Sequence, residues 1–124
     1  MRNNWSKPPG ERVIADQVEN WISLDQAAQQ LGISTSKVRR LIEEHILFAV
    51  KIDKQPMIPS DIIVGNEPLS SIRGTMLQLL DLGLSESEAI EWLYEENDVL
   101  GEKPIAALVK GHKAPVRRAA QALG

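Results

Sequence analysis

The stretch SLDQAAQQLGISTSKVRRLIEEH, residues 23–45, constrains this chain most, because it holds two helical periods separated by one glycine. Leu24, Ala27, Ala28 and Leu31 recur at three- and four-residue spacing and line one face of a helix. Ser23 is a good N-cap for it, and Gln26 three positions on completes a capping box. Gly32 stops that helix, since a residue without Cβ readily takes the left-handed conformation. Ile33 points inward and Ser34 caps a second helix, in which Val38, Leu41 and Ile42 share a face. Turning about 100° per residue from Val38 puts Ser36 and Arg40 nearly opposite that face, beside Glu43, with Lys37 and Arg39 on its flanks. One side of this helix is expected to pack while the other presents hydroxyls and cations.

The segment after His45 changes period. Phe48, Val50 and Ile52 alternate with Ala49 and Lys51, which predicts a short strand. Asp53 and Lys54 read as the turn, Met57 and Ile58 as the return strand, with Pro56 at its edge. A β-ribbon beside the second helix of a helix–turn–helix is a wing. Ser60 and Asp61 are expected to cap a short helix starting near Ile62 and ended by Gly65 and Pro68. Ile72, Met76, Leu77, Leu79 and Leu80 predict a further helix stopped at Gly83, and Ser85 with Glu88 forms a second capping box. Pro104 and Pro115 suit first turns of helices, after breaks at Gly101 and Gly111. The fold expected is mainly α: a polar N-terminal arm at 1–12, a winged helix–turn–helix unit at 13–66 whose residues 13–20 form a helical turn or more, and a small helical domain at 67–124.

Composition narrows the function classes. The net charge of −3 argues at first against a nucleic-acid partner, but its distribution reverses that. Residues 81–102 carry eight acidic and no basic side chains, whereas 35–54 carry five basic and three acidic, and 110–118 four basic and no acidic. A polyanion responds to the local field rather than to the total. With no cysteine there are no disulfides, thiolate chemistry or Cys-based zinc sites. The apolar runs span only a few residues, so neither a membrane segment nor a signal peptide is expected, and a cytoplasmic, nucleoid-associated protein is. His45 and His112 do not form a metal-spaced set, and no phosphate-cradling glycine loop or H-E-x-x-H is present. No enzyme, cofactor or metal is expected. His45 is instead expected to cap the second helix as a cation.

Residues 21–62 resemble the excisionase and MerR-type winged helix–turn–helix domains, through Leu24, Ala27, Ala28, Leu31, Gly32, Ile33, Ser34, Val38, Arg39, Arg40, Leu41, Ile42, Ile58 and Pro59. Length and layout are also similar to a family of small actinobacterial winged-helix DNA-binding proteins with a helical C-terminal domain. The resemblance implies sequence-directed binding of double-stranded DNA in transcription or nucleoid regulation. It departs at the wing, where Asp53 and Gln55 replace a more basic or glycine-rich tip and predict weak wing contacts. Residues 92–123 are similar to the C-terminal domain of antitoxins of the ParS and Xre type, through Trp92, Leu93, Asn97, Leu100, Pro104, Ile105, Leu108 and Gly111. That implies an alternative, a module that binds a partner protein; a packing or homodimerising domain is the plainer reading.

Roles follow from side-chain chemistry. Arg40 is the first candidate for a base edge, because guanidinium pairs bidentately with guanine. Ser36 is a candidate for a base or a phosphate contact, lying with Thr35 at the helix N-terminus, where the dipole and free N–H groups favour phosphate. Lys37, Arg39, Lys51 and Lys54 are expected on phosphates. The competing use of Arg39 and Arg40 is pairing with Glu43 or Glu44 at helical spacing. Lys110, Lys113, Arg117 and Arg118 are secondary phosphate candidates, or neutralise the acidic segment, which itself reads as a solvated face or a surface for a basic protein. In the arm, Arg2, Lys7 and Arg12 are further candidates for phosphates or a minor groove, and Ser6 for phosphorylation.

Overall fold

Trp21–Ser23 (β1) runs directly into Leu24–Leu31 (α1) near the start of residues 17–123, the part described by a computed structural model. The N-terminal arm with Ser6, and residues 13–16 of the expected first helical turn, lie outside the described residues. Both arms of the first capping box form: Ser23 Oγ accepts from the Gln26 amide at 3.1 Å, and Gln26 Oε1 accepts from the Ser23 amide at 2.8 Å. Gly32, at φ 71°, turns the chain so that its own amide and that of Ile33 satisfy carbonyls in the last turn of α1.

Thr35–Glu43 (α2) ends without a glycine. His45 takes the left-handed conformation at φ 63°, and the amides of His45 and Ile46 close on the carbonyls of Ile42 and Leu41. His45 thus caps the helix as expected, but through its backbone. The backbone closes the helix, while His45 Nδ1 is buried with no partner among the described residues.

Val50–Ile52 (β2) and Gln55–Pro59 (β3) form the expected ribbon, and β1 adds a strand that local pattern did not indicate. The order is β1-β3-β2, antiparallel throughout. Ile52 faces Gln55, so Asp53 and Lys54 alone make the turn, both at positive φ (52° and 70°). Such a turn matches the twist of its strands but strains L-residues. Two prolines fit into the middle strand because Pro56 faces only β2 and Pro59 only β1. Each sits where β3 has one neighbour, so its missing N–H breaks no ladder bond. Phe48, expected in the strand, precedes it and is buried in the core.

The helix expected near Ile62 is absent. Ser60–Ile62 make one 3₁₀ turn, and Ile63–Val64 (β4) pairs with Glu67–Pro68 (β5) across Gly65 at φ 64°. Ile62 and Ile63 are consecutive buried residues, as a tight turn feeding a strand allows, and the Asp61 carboxylate goes to Tyr94 instead of capping. Four helices follow: Ile72–Asp81 (α3), Glu86–Tyr94 (α4), Pro104–Val109 (α5) and Lys113–Gln121 (α6). Ser85 and Glu88 complete the second capping box, and Pro104 occupies the first turn of α5.

One apolar cluster runs through both halves of the chain, from Leu47, Phe48 and Ile62 to Met76, Leu93, Leu108 and Val116. Tyr94 sits at the join. Its ring meets Phe48 edge-on at 6.2 Å and 81°, and its hydroxyl donates to Asp61 Oδ1 at 2.7 Å. Lys103 Nζ adds a bond to the Gln17 carbonyl at 3.2 Å.

Candidate nucleic-acid interface

α2 is seated by its apolar face. Val38 is fully buried and Leu41 and Ile42 are half-buried, packed with α1. Ser36, Lys37, Arg39 and Arg40 are all exposed on the remaining surface. Ser34 Oγ accepts from the Lys37 amide at 3.2 Å, so the helix start is fixed by its own cap. The Thr35 hydroxyl donates to Asp25 Oδ1 at 3.5 Å, a contact between the two helices of the motif that sequence spacing did not reveal. Thr35 is half-buried. The amides of Thr35 and Ser36 have no acceptor among the described residues, and no acidic side chain occupies the first turn. The N-terminus of α2 thus presents two unclaimed amides, with the Asp25 carboxylate of α1 beside Thr35 as the nearby negative charge.

Arg39 and Arg40 do not pair with Glu43 or Glu44: among the described residues, the cations of α2 make no ion pair. An exposed pair would contribute only about 0.3–0.5 kcal/mol, so their separation costs little. On the wing, Lys51 is exposed on β2 and Lys54 is exposed at the strained tip. Gln30 Nε2 donates to the Gly65 carbonyl at 2.8 Å and ties α1 to the second hairpin, a bridge with no signal in the sequence.

The C-terminal cations belong to other elements. Lys110 follows α5 and pairs with Glu102 at 2.6 Å. Lys113 and Arg117 line a recess beside the start of α3, and Arg118 is exposed on α6. The structure therefore brings Thr35, Ser36, Lys37, Arg39 and Arg40 together on one helix, while Lys110, Lys113, Arg117 and Arg118 stand on the helical half. In the acidic segment, Glu86 and Glu88 fall in the first turn of α4, where negative charge opposes the dipole favourably. Hydrogen bonds from the Ser85 backbone and hydroxyl hold the Glu88 carboxyl below the usual glutamate pKa.

Comparison with known proteins agrees with this layout. Residues 8–63 match the family model described as DNA-binding protein Rv2175c, wHTH domain. Residues 69–124 match the one described as Rv2175c C-terminal domain of unknown function. No curated protein sequence matches the chain. The NMR structure of Rv2175c is similar over 99% of this chain and 97% of that one, with a TM-score of 0.77 at 23% identity, a likeness that carries the fold. Between them the two family models match both halves of the chain, each taking a little less than half of it, so residues 8–63 are similar to the winged helix–turn–helix domain of DNA-binding protein Rv2175c and residues 69–124 to its C-terminal domain.

Proposed function

We propose that this chain binds double-stranded DNA in a sequence-directed way, with α2 in the major groove, and regulates transcription or nucleoid organisation. The observation that carries the reading is the exposed set Lys37, Arg39 and Arg40, without ion pairs among the described residues, on a helix whose first two amides have no acceptor among them either. Arg40, the cation of α2 farthest from the buried face, reads a base edge, and the guanidinium geometry favours guanine. Lys37, Arg39, Lys51 and Lys54 hold phosphates and set register. Ser36 adds a hydroxyl, and the Thr35 and Ser36 amides meet a phosphate at the helix end. The resemblance to excisionase and MerR-type domains supports placing the wing along the adjacent backbone. One reading head is a small interface, so a homodimer on paired half-sites suits tight specific binding.

The test is a fluorescence anisotropy titration on a duplex selected from random DNA by the full chain. Four phosphate-binding cations predict that log affinity falls with log salt at a slope of about −4. Arg40→Ala costs about 1–3 kcal/mol and relaxes preference at one base pair, whereas Lys37→Ala weakens all sequences alike. Affinity indifferent to salt and to Arg40→Ala would overturn the assignment.

A further inference from the structure

Helix α3 begins without the devices that open α1, α2 and α4. Its N-cap residue, Ser71, has helical backbone angles (φ −84°, ψ −6°) and makes no side-chain cap, and no acidic residue occupies the first turn. Arg73 stands there instead, where a cation opposes the dipole. The amides of Arg73 and Gly74 have no acceptor among the described residues.

Against this end lies a recess of about 160 Å³, walled by Ser70, Ser71 and Gly74 on one side and by Lys113 and Arg117 of α6 on the other. Gln78 Nε2 donates to the Arg117 carbonyl at 3.0 Å and fixes the two walls to each other. No carboxylate among the described residues lines the recess. Lys113 and Arg117 are four apart on one helix, a spacing at which like charges repel unless an anion lies between them.

Two further features point to an occupant. Ser71 is only 8% exposed, and its hydroxyl is buried with no hydrogen-bond partner among the described residues, a costly condition for a polar group. The nearby Thr75 hydroxyl, by contrast, is satisfied by the Ser71 carbonyl at 3.0 Å. Gly74 sits inside a helix, where alanine is the more stable choice, and a Cβ built on it meets no atom within 4 Å. Packing within the chain does not require glycine there; room for a ligand over the first turn does.

We propose that this recess binds a terminal phosphate group, with Lys113 and Arg117 neutralising the anion and the Arg73 and Gly74 amides and the Ser71 hydroxyl donating to its oxygens. The phosphodiesters of a duplex lie along a convex surface and are met by protruding cations such as those of α2. A recess instead admits a terminal phosphate, whether free or carried by a small molecule. The site stands apart from the DNA-binding reading and does not depend on it.

The test is an amide NMR titration of the ¹⁵N-labelled full chain in phosphate-free buffer at constant ionic strength. The probes are inorganic phosphate, glycerol 3-phosphate, sodium chloride, and a duplex without terminal phosphates. Saturable shifts at Arg73 and Gly74 with either phosphate, and none with chloride, are expected; glycerol 3-phosphate binding more tightly than inorganic phosphate identifies an esterified ligand, and the reverse the free ion. Arg117→Gln replaces an exposed side chain and weakens that binding about tenfold or more, the size of one lost charge-assisted hydrogen bond. Gly74→Ala raises the melting temperature yet weakens phosphate binding, a combination that a purely structural glycine does not give. The proposal falls if the shifts fail to saturate, if chloride reproduces them, if both variants bind phosphate as the parent does, or if only the duplex moves these amides.

Discussion

The two basic helices, α2 and α6, look alike as strings and differ as surfaces. Each buries an aliphatic face, Val38 with Leu41 and Ile42 in one, Val116 with Ala119 and Ala120 in the other, and each carries three cations. Around α2 the cations project from an outer face with no ionic partner among the described residues. On α6, two of three border a recess shared with α3. Charge count does not separate them; the neighbouring element does. A helix whose basic face has no neighbour suits a long polyanion, whereas one whose cations meet another helix's N-terminus suits a small one.

The largest effect that could break this contrast concerns the join between the halves. Phe48, between α2 and β2, is buried against Tyr94 of α4 within a single apolar cluster. Phe48→Ala is expected to destabilise the chain by about 3–5 kcal/mol, from lost transfer energy and the cavity left behind. Denaturant unfolding followed by amide signals in α2 and in α6 should show one midpoint for both helices, in parent and variant alike. Separate midpoints, with only the α2 signals shifted, would mean that the two basic helices sit on independent bodies and need no common explanation.

Much of this arrangement was legible in the sequence because its signals are local. Both capping boxes, the glycine stop at Gly32 and the apolar face of α2 depend on residues within one or two turns, and they formed as the pattern dictates. The two-residue turn at Asp53 and Lys54 was likewise readable from flanking alternation. What escaped depends on distant partners. β1 has three residues and exists as a strand by pairing with Met57–Pro59, more than thirty residues on. Ser60 and Asp61 look like helix caps, yet Asp61 is claimed by Tyr94, and the residues after it pair as a hairpin. The recess behaves the same way: Ser71 and Gly74 carry no motif, and their relation to Lys113 and Arg117 arises only when α3 and α6 pack.

A smaller effect probes the polar part of the join. Tyr94→Phe removes the hydroxyl that donates to Asp61 at 2.7 Å and should cost about 1–2 kcal/mol. Burial raises the pKa of the Asp61 carboxyl above that of an ordinary aspartate, because desolvation against the surrounding protein outweighs the hydrogen bond from Tyr94. A carboxyl whose folded pKa is raised contributes stability that is complete below the unfolded value and lost as pH rises through the folded one. Asp61→Asn keeps an acceptor for Tyr94 without the charge, so its stability relative to the parent should increase from acid toward neutral pH. Urea midpoints across that range check the sign; a variant that loses ground as pH rises would show that the ionised carboxylate stabilises the join instead.

The smallest effect sharpens the contrast between engaged and available cations. Lys110 is paired with Glu102 at 2.6 Å, but the two side chains are 58% and 28% exposed, so solvent screens most of the attraction. Lys110→Met keeps the alkyl stem and removes the charge; it should lower stability by about 0.5 kcal/mol or less, and the difference should vanish in high salt. The same substitution at Lys37, which has no ionic partner among the described residues, should leave stability unchanged and weaken DNA binding. Anisotropy titrations of both variants on one duplex make the comparison direct. If Lys110→Met weakened DNA binding as much as Lys37→Met, the pair with Glu102 would be a resting contact that opens toward DNA, and the helical half would share the duplex with α2.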